Sequence, residues 1–229
     1  MRFSLPGIHC LMAGYADTTG FLALNGLFTS HVTGNFVTLG SALVFGTSGT
    51  LAKLLALPTF CITVLLIKII GLRLQAVGRP ALHSMLKLQL ALLTAAAAIA
   101  AWAGPFDNPD KGAALFLGMT LVTAMAVQNA VHRMYLPHTP PSTVMTVTTT
   151  QTMLDLGELI SGPAAEKAGS IRTRLKAMTA SVVLFAAGCA LGALLFMEID
   201  KWCFGVLPIL AASALAIRSE STETCTERR

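Results

Sequence analysis

Long apolar runs alternate with short polar segments along the chain, and the polar segments repeat. Apolar runs cover residues 8–28, 54–74, 84–103, 112–133, 177–197 and 203–217. The first five match the roughly 20 residues that a helix needs to cross a bilayer. The sixth is short, and its flanks extend it. Two further segments, 31–47 and 143–160, are thick with Thr, Ser, Gly and Asn. They contain Thr33-Gly34-Asn35-Phe36-Val37-Thr38-Leu39-Gly40 and Thr150-Gln151-Thr152-Met153-Leu154-Asp155-Leu156-Gly157. With no gap, Thr, Leu and Gly take the same three places, 117 residues apart. Each copy follows an apolar run with its own polar break, Gly14-Tyr15-Ala16-Asp17 before the first and Gln128-Asn129 before the second. Polar groups are costly in hydrocarbon, so a pattern that repeats them needs internal partners or a wet path.

The placement of charge decides how many runs cross. Residues 68–87 hold Lys68, Arg73, Arg79 and Lys87 without an acid, and 162–176 hold Lys167, Arg172, Arg174 and Lys176 against Glu166. Basic loops face the cytoplasm. The links 104–111 and 198–201 carry Asp107, Asp110, Glu198 and Asp200 and suit the outside. With eight crossings, 68–87 would face out and 104–111 would face in. With six, every loop obeys the rule and both termini are cytoplasmic.

The expected fold is therefore an all-α polytopic membrane protein of about six transmembrane helices. It forms one transmembrane domain over residues 1–217, with repeat one at about 7–103 and repeat two at about 112–217. The halves are inverted three-helix repeats, a plan used by many transporters and channels. Each carries one polar segment, and the sequence leaves open whether that segment re-enters or lies at the interface. Gly46-Thr47-Ser48-Gly49-Thr50 and Pro137, Pro140 and Pro141 supply the reversals. Residues 218–229 read as a polar, disordered cytoplasmic tail.

Composition narrows the function classes. Of 229 residues 54% are hydrophobic and 12% charged, with mean hydropathy +0.70. Soluble domains run near 25% charged. The net charge of +5 reads as cytoplasmic anchoring, not nucleic-acid binding, because no dense Lys/Arg run is present. Leu11 to Phe28 lacks a small-residue cleavage site and carries Asp17, so it reads as a retained helix and not a signal peptide. The five cysteines form no Cys-x-x-Cys pair and read as small hydrophobes. There is no phosphate loop of the Gly-x-x-x-x-Gly-Lys-Ser/Thr type, no His-Glu-x-x-His and no Gly-x-Ser-x-Gly. The expectation is no enzyme, no cofactor and no metal.

The polar segments supply the candidate chemistry. Asp17 lies mid-run, where a carboxylate costs about 2.5–3.5 kcal/mol on insertion scales and usually faces a cavity or a partner. Asp17, Thr33, Gly34, Asn35, Gln128, Asn129, Thr150 and Gln151 are the expected substrate- or pore-lining residues. The competing reading makes them packing and capping devices, since small polar residues are common at membrane helix contacts. His31 has two readings, a solvated histidine or a proton-passing one. Asp155 falls near the cytoplasmic edge, in reach of Arg172 or Arg174.

These landmarks carry a resemblance. Gly14-x-x-Asp17, Val32-Thr33-Gly34-Asn35 with Leu39-Gly40, Gln128-Asn129-Ala130, and a Thr-rich run ending Leu156-Gly157-Glu158 resemble the YoaK-like family over about residues 7–217. These are bacterial integral membrane proteins with a domain of unknown function. Thr150-Gln151 stands where that family often has Thr-Gly, and Ala124-Met125-Ala126-Val127 stands where a Gly often precedes Gln-Asn. The resemblance implies a multi-pass protein of the bacterial plasma (inner) membrane and supplies no substrate. The function expected is a small transporter or channel for a small polar solute or ion. The alternative is a non-transporting membrane partner or assembly protein. Besides the lipid bilayer and that solute or ion, a homo-oligomer is the expected partner, because six helices are few for an alternating-access carrier.

Overall fold

The computed structural model describes residues 4–162 and 164–226, without the side chains of 165, 166 and 218–226. Among the described residues eight α-helices follow one another: α1 (Leu5–Ala23), α2 (Val32–Phe45), α3 (Thr50–Ala76), α4 (Ala81–Ala103), α5 (Gly112–Tyr135), α6 (Met145–Ile160), α7 (Ala165–Ile199) and α8 (Val206–Thr226). A short 3-10 helix, Asp200–Gly205, joins the last two. No strand occurs among the described residues, so the all-helical expectation holds.

Local chemistry sets the helix ends. Ser4 caps α1, its Oγ accepting from Gly7 N at 3.4 Å, and Pro6 sits in the first turn where its missing N–H costs nothing. At the other end Asn25 and Gly26 take positive φ of 48° and 88°, which stops the helix. The expected run 8–28 is thereby corrected: its helix ends at Ala23, and residues 24–31 form a loop. Gly46 closes α2 in the left-handed conformation. α8 runs on through Thr226, into the stretch expected as a disordered tail. Residues 227–229 and the side chains from 218 onward lie outside the described residues.

Thr50–Ala76, Ala81–Ala103, Gly112–Tyr135 and the run Lys167–Ile217 are long and apolar enough to cross a bilayer. The last is not one rod. Asp200 at φ 45° breaks it, and α1 reports the reversal. Gly7 meets Leu184 and Thr19 meets Gly192, so α1 runs parallel to α7. Tyr15 Oη donates to the Cys203 carbonyl at 2.6 Å, while Leu5 and Ile8 cluster with Ala214, so α8 runs the other way. The expected division into 177–197 and 203–217 around an acidic link fits this turn.

α1 differs from the apolar four. It carries His9, Asp17, Thr18 and Thr19, and thirteen of its nineteen residues are buried. It packs against α5, α7 and α8, so protein and not lipid surrounds most of its polar groups. The main core joins Met12, Tyr15, Leu93, Leu121, Phe204 and Leu207.

Several contacts gather at one end of the bundle. Asn25 Nδ2 donates to Ser48 Oγ at 2.6 Å. Asp110 accepts from Gly49 N and Ala52 N, both at 2.9 Å, and so caps α3 from another loop. Lys201 Nζ donates to the Gly104 carbonyl at 2.6 Å. Residues 25 and 48 therefore meet, and the segment between them, α2 included, leaves and returns to the same end.

Candidate functional site

Asp17 organises the first polar centre. It is 3% exposed, and its partners come from the loop that follows its own helix. Oδ1 accepts from Thr29 N at 2.7 Å, Thr29 Oγ1 at 2.9 Å and Ser30 N at 2.7 Å. Oδ2 accepts from Ser30 Oγ at 2.6 Å and pairs with His31 Nδ1. A buried carboxylate holds its charge only with such donors. The loop 24–31 consequently doubles back along α1, from Asn25 at the end of the bundle to His31 beside mid-helix.

The Thr-Gly-Asn motif fixes that loop. Asn35 Nδ2 donates to the Phe28 carbonyl, and Asn35 Oδ1 accepts from Phe28 N, both at 2.8 Å. Gly34 leaves room for the Phe28 ring, since a Cβ there would lie 2.6 Å from Phe28 Cδ2. Phe28 stands edge-on to His31 at 6.0 Å, and Phe185 of α7 does so at 5.6 Å. A cavity of about 420 Å³ opens here, lined by Asp17, Phe28, His31, Gly34, Phe185 and Cys189.

A second centre forms at the other polar break. Gln128, fully buried, donates from Nε2 to the His9 carbonyl at 2.9 Å and to Ser142 Oγ at 3.1 Å, and accepts from Gln89 Nε2 at 2.9 Å. Asn129 Oδ1 accepts from Thr143 Oγ1 at 2.7 Å. Thr139 lies 3.3 Å from His132 Nε2. The loop 136–144 thus runs back along the last turns of α5. A cavity of about 470 Å³ lies beside it, lined by Phe60, Val64, Asn129, His132, Thr139 and Thr143.

Of the residues expected to line a path, Asp17, Gly34 and Asn129 line these cavities, while Asn35 and Gln128 are buried supports behind them. Thr33 and Thr150 are exposed on their helices and face neither centre. Gln151 Nε2 instead donates to Asp155 Oδ1 at 2.7 Å. Asp155, also buried, takes a two-pronged bond from Arg174, Nε at 2.7 Å and Nη2 at 2.6 Å. His31 sits beside Asp17, not in open solvent. Thr29, Ser30, Ser142 and Thr143 went unrecognised because they lie in loops outside the repeated words. Their signal is faint: hydroxyl pairs, Thr29-Ser30 and Ser142-Thr143, directly before each polar helix.

The register of the repeat also changes. In α2 the buried residues Asn35 and Ala42 are the fourth and eleventh of the helix, and in α6 Thr148 and Asp155 hold those places. The helices start 113 residues apart, at Val32 and Met145. The gap-free match at 117 residues is therefore out of step with burial by about one helical turn.

Among the described residues the chain is all-helical, and its long apolar helices fit the membrane class by length and composition. The chain belongs to the family described as "Protein of unknown function (DUF1275)", which matches residues 7–217. The YoaK-like resemblance is consistent with that membership. No curated protein and no solved structure matches the chain.

Proposed function

We propose that this is a small transporter or channel of the bacterial plasma membrane that passes a small polar solute or ion. The observation that carries the reading is a pair of cavities, one at each polar break. His31 lines the first and Thr143 lines the second. Each is held in the interior by a polar residue of a buried helix, Asp17 in α1 and Asn129 in α5. Broken or short helices at corresponding places in two halves are a known pointer to a transport site.

In this reading α1, α3, α4, α5, α7 and α8 cross the membrane, with both termini cytoplasmic. The segments of α2 and α6 re-enter from opposite faces. An inverted repeat is supported by the exchange of partners: α1 packs on α7 and α8, and α5 packs on α3 and α4. The basic loops 77–80 and 161–164 with their flanks then lie on the cytoplasmic side.

Flux into proteoliposomes, measured over a panel of polar solutes and ions, tests the proposal. Movement of at least one species that fails with Asp17→Asn supports it; no movement of any species by folded protein counts against it. One observation favours the alternative, a membrane assembly partner. Gly40 and Gly157, the shared glycines of the two polar words, have nothing within 4 Å of an added Cβ, which leaves both smooth faces free for another helix.

A further inference from the structure

We propose that the bundle end around Lys53 holds a binding site for a small oxyanion, with Lys53 as the cation that takes it. The site is distinct from both polar centres and stands whether or not the chain transports. Lys53 is the fourth residue of α3 and is 4% exposed. Its Nζ makes no ion pair and no hydrogen bond among the described residues. A lysine is almost never buried without a partner. A cation there also sits at the positive end of the α3 dipole, where an acid is the favoured residue. Places where a chain breaks such local rules are where functional groups are found.

Two glycine turns come up to the ammonium. Gly26 and Gly49 take positive φ, 88° and 92°. A Cβ would lie 3.6 Å from Lys53 Nζ at Gly26 and 3.2 Å from it at Gly49, so side chains at these turns would crowd the charge. Asp110 reaches the same turn of α3. Its two oxygens accept from Gly49 N and Ala52 N, and it makes no ion pair with the lysine. It offsets the charge from a distance and leaves the three N–H donors of Nζ open.

Lys53 lines a cavity of about 590 Å³ at this end. Ser41, Thr47 and Ser48 share that lining, and no acid does. Ser48 Oγ accepts from Asn25 Nδ2 at 2.6 Å, so its own proton is free to donate. The hydroxyls of Ser41 and Thr47 have no protein partner among the described residues.

An ammonium with three hydroxyl donors and no carboxylate suits a negative ligand that carries several acceptor oxygens. A metal cation would meet the repulsion of Lys53. Phosphates, sulfates and carboxylates share the required chemistry, whether free in solution or part of a lipid headgroup. Phe21 and Leu22 add an apolar wall, which the site shares with the Asp17 cavity.

The test is isothermal titration of the full chain in an uncharged detergent, and it needs no flux. The probes are sodium phosphate, sodium sulfate, sodium acetate and dihexanoyl phosphatidylglycerol, at ionic strength held constant with sodium chloride. Saturable binding of at least one probe is expected. Binding of the lipid alone names a headgroup as the source, and binding of the salts names a free anion. The Kd should rise tenfold or more in Lys53→Met and several-fold in Ser48→Ala. It should not change in Lys111→Met, which removes an exposed lysine beside Asp110. No saturable binding of any probe to the unaltered protein overturns the proposal. So does undiminished binding by Lys53→Met, or an equal loss in Lys111→Met, which would mark diffuse surface charge. If Lys53→Met fails to fold, the unaltered protein and Ser48→Ala decide, and unchanged binding by Ser48→Ala then overturns the site.

Discussion

Gly14 of α1 and Gly188 of α7 each press against the other helix's backbone. A Cβ at Gly14 would lie 2.1 Å from the Phe185 carbonyl oxygen, and one at Gly188 would lie 2.1 Å from that of Leu11. Atoms that close cannot coexist, so the helices must part to accept even a methyl group. Gly14→Ala and Gly188→Ala should each destabilise by at least the ~1–3 kcal/mol of an overpacked core. Gly40→Ala and Gly157→Ala meet open space and should be neutral or stabilise, by up to roughly 1 kcal/mol, because alanine favours the helix. Thermal unfolding in detergent separates the pairs. Equal melting temperatures across all four would show that the α1–α7 contact is looser than described.

Asn35 and Phe28 make a different kind of joint, two backbone bonds from one amide. Asn35→Ala leaves the Phe28 N–H and carbonyl without this partner. The loss should be about 1–3 kcal/mol, and the loop 24–31 should become a protease target. Thr33→Ala, two residues away on an exposed face, should change neither reading. Limited proteolysis with mass mapping checks both. Cleavage in the loop at the same rate in both variants would argue against the clamp.

These two joints show what a sequence reveals and what it hides. The long helices were legible because lipid demands about 20 apolar residues in a row. The reversal near Asp200 was legible because Glu198, Asp200 and Lys201 interrupt such a run. Asp17 stood out for the same reason, by its cost. Its partners did not, since Thr29 and Ser30 lie twelve and thirteen residues onward in a loop, where no helical or strand period applies. The matching Thr, Leu and Gly suggested one register. Burial of Asn35 with Ala42 and of Thr148 with Asp155 set another, because what a helix hides depends on its neighbours and not on its letters.

Asp17→Asn should be costly even though the shapes match. The amide replaces an accepting oxygen by a donor, so Ser30 Oγ with His31, or the three donors at Oδ1, would face an N–H. It also strips His31 of its counter-charge. Breaking a buried pair by removing one member costs about 3–5 kcal/mol. His31→Gln keeps a donor within reach of the carboxylate and should lose less. Denaturant unfolding followed by tryptophan fluorescence ranks the two. A larger loss in His31→Gln would mean that packing of the ring between Phe28 and Phe185 outweighs the charge.

Asp155 and Arg174 tie α6 to α7 and should make that junction sensitive to acid. Arg174, with its two-pronged bond, holds the Asp155 carboxyl below the usual carboxylate range; burial opposes this, and Gln151 adds to it. The folded protein thus binds the proton more weakly than the unfolded chain, where an aspartate titrates near about 3.9. The stabilisation is complete above that value and is lost as pH falls through the lower folded value. Protection of the α6 amides, their exchange relative to the free-chain rate at the same pH, should therefore be high at neutral pH and fall on acidification below about pH 4. In Asp155→Asn protection should be lower already at pH 7, and the acid step in protection should disappear. If wild type and variant gave the same exchange profile from pH 7 downward, α6 would be held by its apolar contacts and the ion pair would be incidental.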